Sequence, residues 1–150
     1  MSRFEEVTEQ EYKLMNELIG EHFSYLNIAN IHILFDTKKK KIDGKLSAAR
    51  VQATNELQKY LSIDNDCPDG YDYIVYLDKN LWDILEEPDK KRVLFHELNH
   101  FDINPEKETF KTKGHEIEMF ESELDYNADD PKWMSRISVI LLSIYDKENQ

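Results

Sequence analysis

The residues best suited to chemistry in this 150-residue chain are His96, Glu97 and His100, set in the run His96-Glu97-Leu98-Asn99-His100. On a helix, residues four apart lie one turn apart on the same face, so two imidazoles can aim at a single ion. Two nitrogens at about 2.0–2.1 Å suit zinc. Glu97 follows the first histidine and projects beside such an ion, within reach of a water bound to it. Zinc can bring the pKa of that water down to about 7. A neighbouring carboxylate can then take its proton during attack on a carbonyl and hand it to the leaving amine. The chemistry implied is metal-assisted hydrolysis, with Glu97 as catalytic base and acid.

A catalytic zinc site commonly has three protein ligands and one open position. His96 and His100 supply two. Downstream, His115, Glu116, Glu118 and Glu121 are candidates for the third. His115 is the only histidine beyond the motif, and Gly114 before it leaves the backbone free to enter a helix. His115 is therefore the favoured third ligand, with Glu118 as the alternative. Phe101, Asp102 and Ile103 follow His100, so the longer motif with a nearby Gly and third His is absent. Tyr126 and His32 could each donate to an oxyanion, although neither has a diagnostic spacing. His32 reads as an ordinary sheet residue and His22 as a helix-face residue.

These side chains need a scaffold, and the periodicity supplies one. Pro88 and Asp89 open a helix expected to run to about Ile103, before Pro105. Leu94, Leu98 and Phe101 form an apolar stripe that can anchor it. Upstream, Thr8 and Glu11 have capping-box spacing, followed by Leu14, Met15, Leu18 and Ile19 at helical spacing. Ile31 to Phe35 and Tyr71 to Leu77 read as strands, and Leu46 to Thr54 is read as a further strand. Asn55 to Leu61 suits a short helix, Asp64 to Gly70 a turn, and Leu81 to Leu85 one or two helical turns. Gly114 to Leu124 looks helical. Asp130 and Pro131 start a last helix whose buried stripe is Trp133, Ile137, Ile140, Leu141 and Ile144. A helix, a few strands and then helices make an α+β pattern with a small sheet.

Composition narrows the partners. The chain carries 31 acids against 19 bases, a formal charge of −12, which argues against general nucleic-acid binding and permits a basic protein or peptide substrate. The one basic run, Lys38 to Lys41, reads as a solvated loop. Cys67 is the single cysteine, so no internal disulfide can form. Met1 to Glu9 has no apolar core of a signal peptide, and the apolar stretch near Ile137 to Tyr145 is far short of the ~20 residues a membrane span needs. A single cytoplasmic domain over residues 1–150 is expected. Its oligomeric state has no signature in the sequence.

The segment from Arg92 to His100, followed by Gly114-His115-Glu116-Ile117-Glu118-Met119-Phe120, resembles the phage metallopeptidase family, with further likeness to SprT-like proteases. The strand Tyr71 to Tyr76 and then Trp82 fit that family in order and spacing. Glu116 and Met119 depart from its pattern, while His115, Glu118 and Phe120 fit. The resemblance implies one zinc ion held by His96, His100 and His115, with Glu97 as catalytic acid/base. It also implies a minimal zincin-like fold: a small, mostly antiparallel sheet packed on an active-site helix, with added helices at both ends. A phage or prophage protein acting in a bacterial cell is implied as well. The charge of −12 keeps one alternative, a non-enzymatic acidic protein that binds or inhibits a host protein as a DNA mimic.

Overall fold

A computed structural model describes residues 2–42, 45–107, 109–113 and 126–146. Strand β1 (Phe4–Glu6) leads into helix α1 (Glu9–His22). The helix starts where its cap dictates. The Thr8 side chain accepts from the Gln10 N–H at 3.3 Å, and Glu11 accepts from the Thr8 backbone N–H at 3.1 Å. Leu14, Met15, Leu18 and Ile19 are its buried face. The helix continues past Gly20 and closes where the Phe23 N–H reaches the Ile19 carbonyl.

The main sheet has four strands in the order β1-β2-β6-β5, with β2 at Ile31–Asp36, β5 at Ala49–Ala53 and β6 at Tyr73–Asp78. Its central pair, β2 and β6, is parallel, and the two outer pairings are antiparallel. Strand alternation sets Ile31, Ile33 and Phe35 in register with Tyr73, Val75 and Leu77. All six are buried in the core shared with α1 and the site helix. Strands β3 (Lys41–Ile42) and β4 (Lys45–Leu46) form a small hairpin that runs directly into β5. The expected α2 (Glu56–Leu61) is capped by Asn55 and buries none of its residues.

After β6 come α3 (Lys79–Trp82) and the site helix α4 (Glu87–Leu98). Val93, Leu94 and Leu98 are all buried. Burial of one leucine stabilises the fold by about 1.5–3 kcal/mol, so these contacts fix how the helix rolls against the sheet. Helix α4 ends five residues earlier than its apolar period suggests. Phe101–Asn104 is instead a strand, β7, paired antiparallel with β8 (Thr109–Thr112). Phe101 still serves the core, but from a strand, stacked on Tyr73 with ring centroids 4.2 Å apart and planes 6° off parallel.

The last helix, α5, spans Trp133–Asp146. It begins later than Asp130 and Pro131 suggest: a turn in which the Trp133 N–H reaches the Asp130 carbonyl at 3.2 Å precedes it, and the Asp130 carboxylate accepts from Arg136 at 2.7 Å. Its fully buried stripe is Trp133, Ile137, Leu141 and Tyr145, with Ile140 and Ile144 half-buried. The expected helix Gly114 to Leu124 lies outside the described residues. The described chain is α+β, with helices at both ends of a small, mostly antiparallel sheet, as the sequence reading has it. No described helix is long and apolar enough to cross a membrane.

Candidate metal centre

His96 and Glu97 sit on the last turn of α4, and His100 follows one turn later in a tight continuation of the helix. The Asn99 N–H bonds to the His96 carbonyl at 3.2 Å and the His100 N–H to the Glu97 carbonyl at 3.0 Å, which keeps the three residues wound together. Asn99 closes the helix end through its side-chain amide, which donates to the Phe95 carbonyl at 3.0 Å. Donor atoms of His96, Glu97 and His100 all lie within 4.8 Å of one another. The two imidazoles are 5.2 Å apart and inclined at 72°. His96 and Glu97 are buried and His100 is half-buried.

The β7–β8 hairpin positions His100. Its Nδ1 lies 2.7 Å from the Lys113 carbonyl oxygen. A carbonyl can only accept, so Nδ1 carries the proton and Nε2 is left as the nitrogen able to ligate. Metal-binding histidines are commonly oriented by such a bond at the other ring nitrogen. The Lys113 N–H returns a 2.7 Å bond to the His100 carbonyl. Spacing, ring inclination and tautomer all fit a small divalent cation.

The three residues face a cleft of about 650 Å³. It is lined by Ile42 and by Lys45 to Val51 on the β3–β4 hairpin and β5, by Val93 on α4, by Thr112 and Lys113, and by α5 residues between Trp133 and Leu141. Strand β5 is the edge of the main sheet, and it lies along this cleft. Trp133 stands 6.4 Å from the His96 ring.

The other expected residues fall elsewhere. His115, the favoured third ligand, and its alternative Glu118 lie outside the described residues. His32 sits between the Tyr12 hydroxyl, 3.2 Å from Nδ1, and Glu6, 3.3 Å from Nε2, with its ring against Tyr71. His22 packs edge-on to Phe95 and Tyr126. Tyr126 stacks on Phe95 with centroids 4.0 Å apart and planes 3° off parallel. Burial there pushes its hydroxyl pKa up. Neither Tyr126 nor His32 is among the described residues that line the cleft.

Lys113 is the residue that sequence reasoning missed. Its contribution is a backbone pair, which no side-chain pattern announces.

A family model described as "Putative phage metallopeptidase" matches residues 2–140, and the chain belongs to that family. No curated protein and no solved structure matches it.

Proposed function

We propose that this member of the phage metallopeptidase family is a zinc-dependent peptidase, with His96, His100 and His115 as metal ligands and Glu97 as general base and acid. One observation carries the reading: donor atoms of two histidines and a glutamate converge within 4.8 Å at an open cleft. The family supports a metal, and the imidazole donors favour zinc. Chain connectivity supports His115. Lys113 is hydrogen-bonded to His100, and two residues of fully extended chain reach at most about 7 Å.

The bound ion would supply Lewis acidity toward the scissile carbonyl and toward water. The rest falls to the chain. Glu97 accepts a proton from the attacking water and passes it to the departing amine nitrogen. The Lys113 carbonyl holds the proton on His100 Nδ1, which keeps that ring fixed in one orientation. Strand β5, the edge of the main sheet, runs along the cleft and would lie beside an extended peptide held there.

The test has two parts. Metal analysis of the purified protein should give one zinc per chain, lost in a His96→Ala variant. Glu97→Gln should retain the zinc yet slow peptide hydrolysis by about 10²–10⁴-fold. Full activity in Glu97→Gln would remove the mechanism. A protein with neither metal capacity nor hydrolysis would leave the acidic binding-protein alternative standing.

A further inference from the structure

The charge beside the cleft is opposite to the charge of the chain. Residues 38–50 hold six cations, Lys38, Lys39, Lys40, Lys41, Lys45 and Arg50, and one acid, Asp43, in a protein of net charge −12. Sequence alone treats the lysine run as a solvated loop, but the fold gives it a location. Lys41 and Lys45 lie on the two strands of the β3–β4 hairpin, and the Ser47 N–H extends the pairing to the Lys40 carbonyl at 2.8 Å. Ile42, Lys45 and Arg50 line the same cleft as His96, Glu97 and His100. Lys38 and Lys40 border an adjoining recess that shares Ser47 to Arg50 with it.

The five lysines among these cations are not used up by ion pairs among the described residues, whereas Arg50 is. Lys38 to Lys41 and Lys45 are exposed, and among the described residues none has a carboxylate within ion-pair distance. Arg50 is held by Asp36 at 3.0 Å and lies 4.0 Å over the Tyr76 ring. Asp36 also binds Arg3, so one carboxylate serves two guanidiniums. Beside the cations the cleft presents apolar surface, including Ile42, Leu46 and Met134.

We propose that this basic hairpin rim selects acidic substrates: an extended peptide with an apolar side chain in the cleft and Asp or Glu flanking it. The proposal rests on the peptidase reading for what happens next, but the recognition step is separate from it. Net charge alone leans toward a basic partner, whereas a substrate meets the local field first. An acidic peptide needs only a few carboxylates over the rim. A long polyphosphate would extend beyond the rim onto an acidic surface that repels it.

The test measures binding by zinc-loaded Glu97→Gln protein, so that cleavage does not interfere. Two fluorescein-labelled peptides share one apolar centre and differ only in Asp/Glu or Lys flanks. Anisotropy should show the acidic peptide bound at least about fivefold more tightly, since several weak exposed pairs add. That gap should shrink with added salt. Reversing Lys38, Lys40, Lys41 and Lys45 to Glu should invert the preference, and the same four changed to Gln should abolish it. Reversing Lys13, Lys107 and Lys132 instead should leave it intact. Equal affinity for both peptides, or a preference indifferent to the rim variants, overturns the proposal. So does a single-stranded DNA oligonucleotide that binds the rim more tightly than the acidic peptide. Wild-type turnover of both peptides is read in parallel. Selective binding without cleavage would remove the peptidase reading and leave the rim, and cleavage without charge preference would do the reverse.

Discussion

His100 and Lys113 are joined by two hydrogen bonds of 2.7 Å, one from ring to backbone and one from backbone to backbone. Both use Lys113 main-chain atoms. Lys113→Ala should therefore leave zinc affinity nearly unchanged. Lys113→Pro removes the N–H and displaces the carbonyl, and should weaken zinc about tenfold or more. Competition with a chromogenic chelator measures both variants, and equal affinities would show that the pair does not orient His100.

Asp36 ties β2 to the N-terminal segment and to β5. Burial raises its pKa, but hydrogen bonds from Arg3, the Lys38 N–H and Arg50 outweigh that, bringing the carboxyl to about 2. A folded pKa below the unfolded one gives stability that is complete above about pH 4 and is lost as pH falls through about 2. The contribution is about 2 kcal/mol. Asp36→Asn should lower the unfolding free energy at pH 7 by that amount and flatten its decline between about pH 4 and 2. Urea melts across that range decide it.

Asp78 behaves in the opposite sense. Burial pushes its carboxyl pKa up, against hydrogen bonds from the Tyr145 hydroxyl and the Leu81 N–H. Its ionised form therefore costs stability at neutral pH, and that cost fades as pH falls. The Tyr145 hydroxyl joins the end of α5 to β6 through this group. Tyr145→Phe should destabilise the protein by about 1–3 kcal/mol at pH 7 and by less near pH 5. Thermal melts at the two pH values give the comparison, and an equal loss at both would contradict the charge argument.

Two glycines make a matched test. Gly70 has φ +78°, and a Cβ there would lie 2.1 Å from the Lys59 carbonyl oxygen, a backbone atom that cannot easily give way. Gly70→Ala should cost about 1–3 kcal/mol. Gly20 lies within α1 with no atom within 4 Å of a built Cβ, so Gly20→Ala should stabilise by about 0.5–1 kcal/mol. Their melting temperatures should move in opposite directions.

The site helix shows what the sequence carries and where it stops. Pro88 opens α4 because its missing N–H costs nothing there, and the four-residue step from His96 to His100 sets their common face. The end of α4 is hidden because Phe101 continues the Leu94 and Leu98 stripe equally well as helix. The deciding interactions are distant: the Tyr73 ring and the pairing with Thr109–Thr112. Strand β8 itself has little apolar pattern to announce it. The parallel match of β2 with β6 joins segments separated by 36 intervening residues, which local periodicity cannot report. The meaning of Lys38 to Lys41 was hidden for the same reason, since a charge run shows its sign but not its neighbours.

The return of the chain from β7 through β8 to His100 makes the candidate ligand set nearly contiguous. The proposed donors fall between positions 96 and 115, while the cationic border of the cleft is encoded at 38–50. On the proposed reading, reactivity and choice of target occupy separate stretches of polypeptide. A change in the first hairpin is then expected to redirect the protein toward a different target without disturbing the residues proposed to break the bond.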